Sequence, residues 1–166
     1  MNKNKTCYLC GNKEFNKREG MVRDNPELEI LQCSNCGLVF LSSFGHINNG
    51  FYESSAMHEE NNSIESWLNE TAWDDERRFN YLRRVLENKY VLDFGCGNGG
   101  FMLRAKEIAS LIEGVEIETR LEEHFQKNGL CVYKTIDEIN REYDIITAFH
   151  VLEHIKDPIE LLKKLA

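Results

Sequence analysis

Proline occurs only twice in 166 residues, and no apolar run approaches the ~20 residues that a bilayer-spanning helix needs. A membrane span is therefore not expected. The opening stretch MNKNKTC has no apolar segment of the kind a secretory leader carries, so the expected compartment is the cytoplasm. Positive charge is also short. Lys and Arg number 20 against 28 Asp and Glu, a formal net charge of −8, which gives no long-range attraction to a phosphate backbone. Nucleic acid is thus not the expected main partner. What the chain does have is the means to fold: 42% apolar and 29% charged residues mark a globular protein with a core, not a disordered tail. Its length is about that of one full-size domain, and two will not fit.

Six cysteines in a reducing compartment serve as metal ligands or core residues more readily than as disulfides. Four of them fall in two copies of one pattern, Cys7 and Cys10 in CYLCG and Cys33 and Cys36 in CSNCG. Two thiolates three positions apart, followed by a glycine that lets the chain turn inward, form a knuckle. Two knuckles close a tetrahedral four-sulfur site, which suits structural Zn2+. An iron–sulfur cluster or a redox pair fits the same spacing. About forty residues bury too little surface to fold alone, so metal binding would also be folding free energy.

Residues 1–45 read as this small zinc-ribbon module. Residues 46–88 read as a connector followed by an amphipathic helical segment, in which Leu68, Ala72, Phe79, Leu82 and Leu86 recur at helical spacing. Phe44, Phe51 and Tyr52 are the connector's aromatics, and His46 and His58, like His124 further on, look like surface histidines. From residue 89 the pattern changes. Short apolar runs at 90–94, 111–115, 130–133 and 143–149 alternate with helical stretches at 101–109 and 119–127, which is the signature of a parallel sheet. Asp157, Pro158 and Glu160 open a last helix. The fold class is α/β, a partial Rossmann-like parallel sheet of order 3-2-1-4 behind the ribbon.

The first apolar run leads into VLDFGCGNGGF, residues 91–101. Gly95, Gly97 and Gly100 satisfy the GxGxxG of dinucleotide enzymes, whereas Asp93 with Gly95, Gly97 and Gly99 satisfies an acid followed by alternating glycines. Taken with GVEIE at 114–118 and YDIITAFHVLEHIKDP at 143–158, the stretch from about residue 76 to 166 closely resembles the class I S-adenosylmethionine-dependent methyltransferases. The front module resembles the zinc-ribbon head of a subset of them, in particular sugar C-methyltransferases. The resemblance implies that Asp93, Gly95, Cys96, Gly97 and Gly99 lie against S-adenosylmethionine. It also implies that Glu116 takes the two ribose hydroxyls, that Asp137 stands near the adenine, and that Phe149 belongs to the cofactor site. A carboxylate suits the ribose because it is purely an acceptor and can take both O–H groups of a diol.

His150 is the candidate catalytic residue, at the carboxyl end of the fourth strand where open α/β sheets bind ligands. Glu153 and His154 are read as braces for the loop, and Cys131 as a small apolar strand residue. The expected acceptor is a small molecule or a saccharide. A zinc-ribbon RNA methyltransferase, a dinucleotide oxidoreductase and a non-catalytic zinc- or cofactor-binding fragment are the other readings. The resemblance stops after the fourth strand. The expectation is therefore a fragment, incompetent for turnover alone, whose fourth strand is an open edge prone to self-association.

Overall fold

The computed structural model describes residues 6–22, 25–43, 63–155 and 157–166. His46, His58 and the connector aromatics lie outside these. The described residues fall into two compact units, one within residues 1–48 and 152–166 and one within 49–151.

The first unit contains an antiparallel sheet of β1 (Phe15–Arg18), β2 (Ile30–Cys33) and β3 (Val39–Leu41), in the order β1-β2-β3. Phe40 meets Tyr8 and Phe15 edge-on, with ring centroids 5.6 and 5.4 Å apart, a small aromatic centre that cannot replace a core. The same unit holds α4 (Pro158–Leu165), whose cap forms as the sequence suggests: the Asp157 carboxylate accepts the Glu160 amide at 3.1 Å.

The second unit opens with α1 (Ile64–Leu86), one continuous helix of 23 residues. Ser63 caps it by accepting the Ser66 amide at 3.1 Å, and Asn88 leaves it with φ 58°, the left-handed turn that often ends a helix. Then follow β4 (Tyr90–Phe94), α2 (Gly100–Ala105), β5 (Leu111–Val115), α3 (Glu122–Lys127), β6 (Cys131–Tyr133) and β7 (Ile145–Thr147). The strands are parallel and lie in the order β6-β5-β4-β7, which counted from the first parallel strand is 3-2-1-4. Val91, Ile112, Phe101, Met102, Leu121 and Phe125 form the core between one sheet face and the helices. Ile64, Trp67, Phe79 and Leu82 of α1 pack against it.

Several elements are shorter than their sequence patterns. The expected strand 143–149 keeps only three residues, because each end has another task. Tyr143 donates its hydroxyl to Glu113 at 2.7 Å, and the Asp144 carboxylate accepts the Tyr90 amide at 2.8 Å. At the other end His150 has φ 53° and turns the chain away. The helix expected at 101–109 ends at Ala105 and runs on in tighter turns. Residues 119–121 form a 3-10 turn before α3 begins.

Gly100 shows how tightly α1 and α2 meet. A Cβ there would collide with the carboxylate of Asp75, which α1 holds buried against the loop. Gly100→Ala is therefore expected to destabilise the second unit by about 1–3 kcal/mol, the usual range for overpacking. A chemical-denaturation series is the check; unchanged stability would show that Asp75 moves aside.

Candidate functional site

The chain leaves β4 at Phe94 and crosses to α2 through three alternate glycines, all left-handed: Gly95 at φ 73°, Gly97 at 53° and Gly99 at 78°. Two of the three positions are also hemmed in. A Cβ at Gly95 would overlap Val151, and one at Gly99 would lie 2.8 Å from Leu130. A loop with these constraints presents backbone instead of side chains, the condition for close approach of a ligand.

Glu116 follows β5, and its two carboxylate oxygens are already oriented. One accepts the Gly97 amide at 2.9 Å and the other the Glu118 amide at 3.0 Å. Each oxygen keeps lone-pair capacity for a further donor. Asp93, at 2% exposure, sits near the end of β4 and accepts the Thr147 hydroxyl at 2.7 Å. Burial pushes its carboxyl up to about 7, against the lowering effect of Thr147 and Arg78; Asp75 and Glu116 add to the rise. The loop is thus ringed by carboxylates, an environment suited to a ligand carrying positive charge.

A second layer comes from α1, which nothing in the local sequence links to the loop. Asn98 is buried, accepts the Gly100 amide at 2.9 Å and donates to the Thr71 hydroxyl at 3.0 Å. Thr71 in turn lies 3.0 Å from the Asp75 carboxylate, whose pKa is raised chiefly by burial. Arg104 of α2 donates to the carbonyls of Gly100 at 2.8 Å and Ala72 at 3.1 Å. The Trp67 ring lies 3.4 Å from where a Gly97 Cβ would be, with the Arg120 guanidinium 5.7 Å from the ring centre. Arg120 also pairs with buried Glu118.

The remaining expected site residues divide. Cys96 lends the loop its backbone, but its sulfur belongs to the core; burial, then Asp93 and Glu116, raise its pKa well above the ordinary thiol value, so it is no nucleophile. Phe149 is held by packing: its ring meets Phe101 edge-on at 5.0 Å, and the Arg78 guanidinium lies 4.6 Å from its centre. Asp137 is exposed in a 3-10 turn, its amide capped by the Thr135 hydroxyl at 3.2 Å. His150 is exposed and left-handed at the end of the β7 segment, a backbone state uncommon outside glycine and found often at functional sites. Glu153 and His154 lie in a 3-10 turn at Leu152–His154.

One expectation needs correction. His124 is not a surface histidine: its ring nitrogen Nε2 lies 3.0 Å from the Asn98 carbonyl and so supports the glycine loop from α3. Cys131 lies in β6 and is exposed there, and its strand neighbour Tyr133 reaches across to buried Glu113 at 3.2 Å. Glu113 itself stands where the run 111–115 reads as apolar; Tyr133, Tyr143 and Arg141 satisfy it.

In the first unit, the sulfurs of Cys7, Cys10, Cys33 and Cys36 all lie within 4.8 Å of one another. The Cys7–Cys36 and Cys10–Cys33 separations are 3.6 and 3.5 Å. A tetrahedral ion with Zn–S bonds of ~2.3 Å would set sulfurs about 3.8 Å apart, so the cluster is close to the size zinc requires. The knuckles are built alike: the Gly11 amide donates to the Cys7 carbonyl at 2.7 Å, and the Gly37 amide to the Cys33 carbonyl at 3.0 Å. The Cys36 amide foremost brings the Cys33 thiol down to about 6. Cys36 is pushed up to about 12, against the Leu38 amide, by burial and by the other sulfurs.

Comparison with known proteins follows the same lines. A family model described as Methyltransferase domain matches residues 52–166. A tRNA U34 carboxymethyltransferase of Campylobacter hominis is 31% identical over 109 residues, covering 58% of this chain and 38% of that protein. A ubiquinone biosynthesis O-methyltransferase of Haemophilus ducreyi is 26% identical over 104 residues, covering 52% and 44%. The chain spans less than half the length of either relative. The crystal structure of magnesium protoporphyrin IX methyltransferase from Synechocystis PCC 6803 with bound SAM shares the fold, with a TM-score of 0.53 at 15% identity over 80% of this chain and 73% of that one.

Proposed function

Since this chain belongs to the methyltransferase-domain family, we propose that its Gly95–Gly100 loop, Asp93 and Glu116 hold S-adenosylmethionine for methyl transfer to a small-molecule or saccharide acceptor. The observation that carries this reading is the Glu116 carboxylate, held by the Gly97 and Glu118 amides, each oxygen keeping lone-pair capacity that a ribose diol can use. When bound, S-adenosylmethionine supplies a methyl group on a sulfonium, a leaving group good enough that positioning can provide most of the acceleration. The chain's part is then to orient. The glycine loop gives close backbone contact, Asn98 and Arg104 keep that loop in shape, and the carboxylates around it favour a cation. Asp137 is the proposed adenine neighbour, and Phe149 a further residue of the cofactor site. His150 is the proposed proton acceptor, needed only where the acceptor atom carries a proton.

The four-thiolate cluster is proposed to hold one structural Zn2+, which leaves no open coordination position for catalysis. Methylation of RNA is the second reading, supported by the tRNA-modifying relative. The net charge of −8 speaks against it.

Titration calorimetry tests the cofactor assignment. Glu116→Ala is expected to weaken S-adenosylmethionine binding by about 1.5–3 kcal/mol, on the order of 10- to 150-fold, as for hydrogen bonds to a charged group. Equal affinity in the variant would falsify the diol assignment, and thermal stabilisation by NAD in place of S-adenosylmethionine would overturn the cofactor itself.

A further inference from the structure

The outward face of α1 carries what a solvated helix face normally lacks. Trp73 is 75% exposed and Tyr81 86%, two large aromatics one above the other on the same stripe. Between and around them stand Glu70, Arg77 and Arg84, so the stripe reads Glu70, Trp73, Arg77, Tyr81, Arg84. The intervals are three, four, four and three, which keeps all five on one side of a 3.6-residue helix. They are also symmetric about Arg77. All four basic residues of α1 are arginines, and they lie in its C-terminal half, while Glu65, Glu70, Asp74, Asp75 and Glu76 precede them.

We propose that this stripe is the two-fold interface with a second copy of the chain, with α1 packed antiparallel against α1 about an axis at Arg77. An antiparallel pair centred there sets each residue opposite its mirror position. Trp73 of one copy meets Tyr81 of the other, and Glu70 meets Arg84, each contact occurring twice as two-fold symmetry demands. The acidic half of each helix thereby faces the arginine half of its mate. At the axis Arg77 would face its own copy, and that repulsion is reduced because Asp74 already pairs with it at 2.6 Å. Aromatics and arginines are the residues that concentrate at protein interfaces, whereas lysines are depleted there. A second copy is favoured over an unrelated partner because the pattern complements itself. One helix face offers less than the ~800 Å2 per partner of a standard interface, so the dimer should be concentration-dependent.

Sedimentation velocity on the full chain, from low to high micromolar concentration, should show a monomer–dimer equilibrium. Arg84→Glu alone, or Glu70→Arg alone, should loosen it about tenfold or more, and the double swap should restore it. Trp73→Ala should weaken it without restoring partner. These side chains are exposed, so the variants should keep the wild-type unfolding midpoint. Circular dichroism checks that they do. A monomer at all concentrations overturns the proposal. So does a dimer indifferent to the swaps, or one broken by Ile146→Lys instead, which would place the contact on the β7 edge.

Discussion

Replacing Cys33 by alanine is expected to abolish the zinc binding proposed for the four-thiolate cluster and, with it, the fold of strands β1–β3. Cys33 is 1% exposed and closes the cluster through a sulfur 3.5 Å from that of Cys10. Three remaining thiols cannot complete a tetrahedral site, and the unit has little else to hold it. Its strands are three or four residues long, and among its buried apolar side chains up to residue 43 are Cys7, Leu31 and Cys33, two of them ligands. Structural zinc in small modules contributes about 10–16 kcal/mol of apparent binding free energy, which exceeds any packing this unit could substitute. Elemental analysis should fall from about one zinc per chain to none. Amide exchange across β1–β3 should become unprotected, and a strong chelator should reproduce both effects on the wild type. Cys131→Ala should leave the zinc ratio alone, since that thiol lies on β6. Full metal content with Cys33 replaced, or iron in place of zinc, would remove the basis of the assignment.

How much of this architecture the sequence discloses depends on the range of the contacts involved. Local constraints read well. Cys7-x-x-Cys10-Gly11 and Cys33-x-x-Cys36-Gly37 are each set by a few successive residues, and the structure brings all four sulfurs together. The alternate glycines of the loop read equally well, because a left-handed backbone at Gly95, Gly97 and Gly99 is a requirement of the chain itself. So does Asp157 ahead of Pro158, where the cap forms within four residues. What does not read is anything imported from elsewhere in the chain. Thr71 and Asp75 look like ordinary polar positions on a helix, and only the packing of α1 on α2 turns them toward Asn98 and Gly100, more than twenty residues away. His124 has no local mark of its bond to the Asn98 carbonyl. The fourth strand is overestimated for the same reason: its apolar letters promise seven residues, but Tyr143 and Asp144 are drawn to Glu113 and Tyr90. The self-complementary stripe on α1 lies between these cases, since its order is written in the sequence but its exposure is not.

S-Adenosylmethionine should bind more tightly as pH rises from 6 to 8, and Asp93 is the reason. Its carboxyl is buried at the loop and pushed up to about 7 from 3.8. At pH 6 it holds a proton and offers a cation nothing; at pH 8 it is a buried carboxylate for which a positive ligand is the natural partner. Binding a sulfonium there favours the ionised form, so it must release up to one proton around pH 7, and affinity can rise by up to about tenfold per pH unit in that range. The demethylated product carries no sulfonium charge but has the same amino group, so its affinity should change much less, and the difference between the two isolates the effect at sulfur. Stability has the opposite trend. Below pH ~4 both folded and unfolded chains hold the proton, and between about 4 and 7 only the folded chain does. The raised pKa therefore stabilises the fold fully at low pH, and the contribution is lost as pH climbs through 7. Asp93→Asn should flatten both curves, keeping the Thr147 contact but removing the titration. Calorimetry in buffers of different ionisation enthalpy counts the protons directly. If the cofactor and its product show the same pH dependence, or if Asp93→Asn keeps the wild-type slope, the charge that answers the sulfonium lies elsewhere around the loop, with Glu116 the next carboxylate to replace.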